Sequence, residues 1–228
     1  VLESLNLSVR RGDTPENVRE NWRRLGAAAG LDLTRAVYAK QVHSADVRIA
    51  HAADAQPPER EPRFTCDGFV TNEPGVALAV FMADCLPALL HDPAAGVIGA
   101  VHCGWRGSVA DILGAAVAQM CALGAHPADI RAAIGPGIGA CCFEVGPEVV
   151  AAAEALLHEP LGTLVRPTAG DRALLDLKRV NALRLTQLGV PAEQIAVSDA
   201  CTMCRPDVFW SHRATDGRRG VQAAVITL

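Results

Sequence analysis

The sequence lacks an excess of positive charge. Its 228 residues carry 21 Lys and Arg against 25 Asp and Glu, a formal net charge of -4, and the pI is about 6.0. Nucleic acids and anionic membranes select basic stripes, so neither is an expected partner. A long apolar run is also missing. The longest stretch, Val76 to Leu90, is broken by Asp84 and Pro87 and falls short of the roughly 20 apolar residues that a spanning helix needs, so it reads as buried strands. No basic and apolar leader is visible in the first residues, and the expected compartment is the cytoplasm. The first residue is Val rather than Met, which suggests a trimmed start or one missing a disordered segment. Repeats, low-complexity tracts and charge runs are absent as well. The proline-rich stretch Gln56 to Arg63 reads as a loop within one domain, residues 1–228, expected to act as a monomer.

What is present is a globular balance, 50% hydrophobic and 20% charged, with eight cysteines. Eight are too few for a small disulfide scaffold in a chain of this length, but enough for metal binding or thiol chemistry. Thr14-Pro15-Glu16 opens a helix with a capping hydroxyl and an early proline, and Gly30 ends it. Alternation predicts two short strands over 36–43 and 46–49, joined near Ser44-Ala45. Gly68 to Thr71, Val76 to Met82, Leu86 to His91 and Gly96 to Val101 are strand-length, with Asp92-Pro93 a hairpin turn. Ile112, Leu113, Ala116, Val117 and Met120 recur at helical spacing. Downstream, 130–134, 195–198 and 221–228 read as strands, 148–157 and 173–188 as helices. This mixed order predicts an α+β protein, an α/β sandwich of mixed β-sheets flanked by helices, rather than regular βαβ alternation.

Three residues at the polar ends of apolar runs stand out: His43, Cys85 and His102. Two imidazoles and a thiolate suit zinc and leave a fourth tetrahedral position open. Their separations of 42 and 17 residues match no compact finger, and a buried free cysteine with two histidines bonded to backbone carbonyls is an equally available reading. Arg106 presents a guanidinium fork suited to phosphate beside Gly104 and Gly107. Asp84 and Asp67 are candidate acid/base groups or carboxylates that orient a histidine ligand. Alternation along a strand would instead turn Asp84 away from the metal pocket, and Asp67 equally suits a turn before Gly68. Cys201-Thr202-Met203-Cys204 has redox-motif spacing without thioredoxin context; a structural metal there needs two more ligands, and the sequence offers no obvious pair. Cys141-Cys142 reads as packing close to the site.

The order of several segments is more specific. Ser4-Leu5-Asn6-Leu7, Lys40-Gln41-Val42-His43, Asp67-Gly68-Phe69-Val70-Thr71, Ala83-Asp84-Cys85-Leu86-Pro87, His102-Cys103-Gly104-Trp105-Arg106-Gly107, Ile134-Gly135-Pro136-Gly137-Ile138 and Cys142-Phe143-Glu144-Val145-Gly146 together resemble the YfiH-like, or laccase-domain (polyphenol oxidoreductase), family over nearly the whole chain. The resemblance implies the YfiH-like fold. It also implies a zinc-dependent purine nucleoside phosphorylase cleaving adenosine, inosine, guanosine and methylthioadenosine with phosphate, with adenosine deaminase activity. The metal ligands it implies are His43, Cys85 and His102. Cys85, Asp84 and Arg106 are the catalytic candidates; Arg106, Asn6 and Arg213, the last in the closing segment Phe209 to Arg218, are the substrate-binding ones. Cys103 stands where relatives commonly carry alanine. Relatives usually place an Arg-x-Gly-Gly-Val-Ser-like segment before Ser-Leu-Asn-Leu, and this sequence starts inside that region.

Three other functions remain open at this stage. A copper-dependent, laccase-like polyphenol oxidase needs more clustered histidines than seven scattered ones supply. A metal-independent cysteine hydrolase would use Cys85 as nucleophile and His102 as base. A binding module could carry zinc without catalysis.

Overall fold

The computed structural model describes residues 5–228; Ser4 of the Ser-Leu-Asn-Leu segment lies outside them. Helix α1 (Pro15–Ala29) starts on Thr14, whose hydroxyl accepts the Asn17 N–H, and Gly30 closes it in the left-handed conformation. Four short strands follow, β1 (Ala39–Lys40), β2 (Val47–Ile49), β3 (Phe64–Thr65) and β4 (Gly68–Thr71). The hairpin expected between 36–43 and 46–49 does not form. β1 pairs in parallel with β3 and β2 in parallel with β4, because the backbone N–H groups of Val42, His43 and Ser44 turn onto the Asp67 carboxylate.

The centre of the chain is β-rich, as expected. β5 (Leu78–Met82) leads through a bend into β6 (Leu86–Asp92), which forms an antiparallel hairpin with β7 (Val97–Cys103). Asp92 Oδ1 accepts the N–H groups of Ala94 and Ala95 and so fixes that turn. The helical run after β7 is split into α2 (Trp105–Val109) and α3 (Ile112–Ala122), Asp111 capping the second on the Gly114 N–H. Then come β8 (Arg131–Ile134), β9 (Glu144–Val145), α4 (Pro147–Leu157) and β10 (Val165–Pro167). The helix expected over 173–188 starts later. Ala173–Leu175 is strand β11, held between β10 and β9, and the Asp176 side chain caps α5 (Leu177–Gln187) on the Arg179 N–H. β12 (Ile195–Val197) and β13 (Gln222–Ile226) complete the order.

Six strands form one mixed sheet in the order β12-β8-β6-β7-β4-β2. The strand period of two sorts its side chains onto two faces. Leu86, Leu90 and Val101 pack against α3, α4 and α5, while Phe69, Ile98 and Ala100 meet Leu78, Val80 and Met82 of β5. β5 pairs antiparallel with β13. The opposite face of this ribbon, Ala77 and Ala79 with Phe81, receives Val18 and Trp22 of α1. The result is a layered α+β sandwich of helices, sheet, two-stranded ribbon and α1. Trp22 is fully buried, and its indole N–H donates to the Leu7 carbonyl at 2.9 Å, so its polar atom is satisfied inside an apolar contact. None of the helices is long and apolar enough to cross a membrane among the described residues.

Candidate metal centre and its pockets

Cys85 sits at the bend between β5 and β6, which the chain makes by placing Asp84 in the left-handed region at φ 82. A non-glycine residue there is uncommon and needs outside support. Asp84 has it: Oδ1 accepts the Thr202 hydroxyl at 2.6 Å, Oδ2 accepts the Arg213 N–H at 2.6 Å, and its carbonyl accepts the Ile138 N–H at 2.8 Å. Both carboxylate oxygens are therefore engaged in holding the bend.

His43 and His102 are organised by one buried carboxylate, Asp67. Its oxygens accept the backbone N–H groups of Val42, His43 and Ser44 at 3.0, 2.9 and 2.8 Å, and the Ser44 hydroxyl at 3.0 Å. His43 itself has φ 64; the three converging donors stabilise this turn. Asp67 Oδ1 also pairs with His102 Nδ1 at 2.8 Å, and the Asp67 carbonyl accepts the His102 N–H at 2.7 Å. With Nδ1 committed, Nε2 of His102 is the nitrogen left to face Cys85.

The ligand atoms of His43, Cys85 and His102 lie within 4.8 Å of one another. Cys85 Sγ is 3.6 Å from His43 Nε2, and the two imidazole rings meet edge to face at 5.0 Å. Gly104 provides the room: a Cβ there would lie 2.7 Å from His43 Cδ2 and 3.2 Å from Cys85 Sγ. Burial pushes the Cys85 thiol up, but hydrogen bonds to His102 and His43 outweigh it and bring it down to about 6. Burial opposes charge on His102, yet Asp67 and Cys85 hold the ring up to about 9. Burial likewise works against the Asp67 anion, and His102 with the backbone donors brings it down to about 2. The trio thus favours a thiolate, and a carboxylate backs one of its imidazoles, a donor set that could hold a metal ion.

Two pockets meet at His43 and Cys85, and His102 lines one of them. One, of about 210 Å³, is lined among others by Tyr38, Gln41, Phe81 and Arg60. The other, of about 350 Å³, is lined by Trp105, Phe143, His212 and four guanidinium groups, with Asp84 its sole acid among the described residues. His43, Cys85, Arg11 and Arg219 line both. Arg219 Nε is buried with no hydrogen-bond partner among the described residues. Burial, reinforced by Arg11, lowers the Arg219 guanidinium to about 10. Two cations side by side, one with a free buried donor, make a place for an anion.

The expected residues distribute unevenly over this site. Arg106 lines the larger pocket, stacked 4.3 Å over the Trp105 ring. Arg213 lines it too, with its guanidinium 6.0 Å from the Phe143 ring. Asn6 is fully buried and its amide is committed, donating to Ser8 O and Asp13 and accepting the Val221 N–H. It ties the N-terminal segment to β13 and lines neither pocket. Arg11 and Arg219 were not singled out by sequence. They stand 208 residues apart in sequence, and the Leu7 N–H bond to the Val221 carbonyl draws their segments together.

The family described as multi-copper polyphenol oxidoreductase laccase matches residues 1–228. The chain is 37% identical over 228 residues to purine nucleoside phosphorylase YlmD of Geobacillus stearothermophilus, covering 98% of this chain and 83% of that one. It is 36% identical over 214 residues to adenosine deaminase RL5 of an unknown prokaryotic organism, covering 92% and 81%. The crystal structure of YlmD from Geobacillus stearothermophilus superposes with a TM-score of 0.89 at 37% identity, over 98% of this chain and 84% of that chain.

Proposed function

The chain belongs to the multi-copper polyphenol oxidoreductase laccase family, and we propose that it is a zinc-dependent purine nucleoside phosphorylase that also deaminates adenosine. The observation that carries this reading is the position of the His43, Cys85 and His102 trio at the junction of two pockets, flanked by Arg11 and Arg219. The residues fit a single zinc ion. Gly104 leaves a cradle that a Cβ would fill, and the Asp67 bond to His102 is the outer-shell partner such a ligand takes.

Zinc held by His43, Cys85 and His102 would supply Lewis-acid chemistry, activating water or polarising a substrate atom. The chain's own groups do the rest. Asp67 fixes the tautomer of His102 and the turn that carries His43. Arg219 and Arg11, with Arg106 and Arg213 across the larger pocket, bind and orient phosphate for attack on the anomeric carbon of the ribose. In that step the new carbon–oxygen bond replaces the bond to the base, which leaves with the electron pair and takes up a proton. The local cations also explain how a chain of net charge -4 can take an anionic co-substrate. Asp84 acts in this reading through position, holding the Cys85 bend rather than transferring a proton. Relatives named for phosphorolysis and for deamination support both activities.

The family description suggests copper chemistry, but only two of the seven histidines, His43 and His102, enter a metal-competent group among the described residues. That donor set does not fit a cluster of several coppers. The deciding experiment incubates metal-replete protein with adenosine or inosine, with and without phosphate, and resolves base, inosine and ribose 1-phosphate. Phosphate-dependent ribose 1-phosphate is expected. No product in either condition, or stoichiometric copper with oxygen consumption on phenols, overturns the proposal.

A further inference from the structure

The Cys201-x-x-Cys204 turn, which lacked a second ligand pair in the sequence, finds one in Cys141-Cys142. The four thiols converge with all sulfurs within 4.8 Å of one another. Cys204 Sγ is 3.5 Å from Cys141 Sγ and 3.4 Å from Cys142 Sγ, close to the ~3.8 Å edge of a tetrahedron drawn by zinc–sulfur bonds of about 2.3 Å. We propose that Cys141, Cys142, Cys201 and Cys204 form a second, structural zinc site, separate from the His43 trio.

The backbone is built to bring the two turns together. Gly137 bridges to Cys201, the Thr202 N–H donates to the Gly137 carbonyl at 3.1 Å, and the Gly139 N–H donates to Cys201 Sγ at 3.2 Å. A bond from a backbone N–H to the sulfur favours thiolate, the form that binds metal. Gly139 keeps the space open: a Cβ there would lie 3.2 Å from Cys201 Cβ and 3.4 Å from Cys141 Sγ.

Burial and charge separate this cluster from ordinary packing. Cys141 and Cys204 are exposed, so they contribute little to a core, while Cys201 is buried. Beside the cluster, Lys178 is 5% exposed, and its ammonium donates to the carbonyls of Ser198 and Ala200 at 2.9 and 2.7 Å. It pairs with no carboxylate at ion-pair distance among the described residues, and a buried cation is costly unless negative charge lies nearby. Four thiolates around a divalent ion carry a net charge of about -2, and Lys178 lies within electrostatic reach of Cys201 first, then of Asp176, Asp199 and Cys141. Four sulfurs in tetrahedral reach select zinc or iron; closed four-sulfur coordination without redox demand points to zinc. The ion would cross-link the two turns. One of them carries Thr202, which holds the Asp84 bend.

The test counts and identifies metal in protein purified without chelator. Two zinc ions per native chain are expected, with all four thiols protected from alkylation until the metal is removed. The His43→Ala/His102→Ala variant should keep one ion, and its cobalt-substituted form should show the charge-transfer and ligand-field absorption of four thiolates. Cys142→Ser/Cys204→Ser should lose that ion and that spectrum. No zinc in the His43→Ala/His102→Ala variant, iron in place of zinc, or a mass two hydrogens lighter from a disulfide within the cluster would each overturn the proposal. Because none of these readouts involves nucleosides, their failure leaves the proposed activity standing, and the reverse holds too.

Discussion

The Thr202 hydroxyl donates to Asp84 Oδ1 at 2.6 Å, a bond between buried groups 118 residues apart in sequence. It joins the turn between Cys201 and Cys204 to the bend that presents Cys85. The geometry of the candidate catalytic centre therefore depends on a residue that touches none of its presumed ligands.

Replacing Thr202 with Val keeps the shape and removes the donor. Asp84 Oδ1 then stays buried without that partner, a change that costs about 1–3 kcal/mol. Urea denaturation should register the loss, and zinc at the Cys85 site should exchange faster. Unchanged stability would mean that water or a neighbour replaces the bond.

Asp67→Asn tests the carboxylate behind the histidines. An amide offers one acceptor oxygen where three backbone N–H groups, the Ser44 hydroxyl and His102 Nδ1 converge, and its NH₂ opposes any of these donors. Metal affinity is expected to fall about 10–100-fold, measured by chelator competition. Equal affinity for both proteins would show that His43 and His102 are oriented by packing alone.

Arg219→Met removes the guanidinium whose Nε lacks a partner among the described residues, while keeping an apolar stem in the pocket. A charge-assisted hydrogen bond worth about 1.5–3 kcal/mol corresponds to a rise of roughly 10–150-fold in KM for phosphate. Deamination, which uses no phosphate, should fall much less. Equal losses in the two reactions would assign Arg219 to the nucleoside or to the fold.

Local chemistry made part of this legible in the sequence. Thr14, Pro15 and Gly30 mark α1 because caps act within one turn, and Asp92 marks the β6–β7 turn for the same reason. The trio was found through motif wording, since separations of 42 and 17 residues carry no signal of their own. What stayed hidden is non-local. The choice of β1 and β2 to pair in parallel with β3 and β4 depends on Asp67 capturing the intervening N–H groups. Ala173–Leu175 has a helix-compatible composition and becomes strand because β9 and β10 supply ladder partners on either side. The meeting of Cys141 and Cys142 with Cys204, 63 and 62 residues on, is fixed by hydrogen bonds to the Gly137 carbonyl and from the Gly139 N–H that no spacing rule anticipates.

The antiparallel pairing of β5 with β13 sets an order of events during synthesis. β5 runs directly into the Cys85 bend, yet its ladder partner is Gln222–Ile226, and the bend's braces come from Thr202 and Arg213. A ribosome that has released residues 43 to 102 has exposed every presumed ligand of the trio but none of these supports. Ion capture in the native geometry must therefore wait until nearly the whole chain has emerged. Such late, long-range closure slows folding, and it makes the completed tertiary structure, rather than the emerging peptide, the entity that selects the metal.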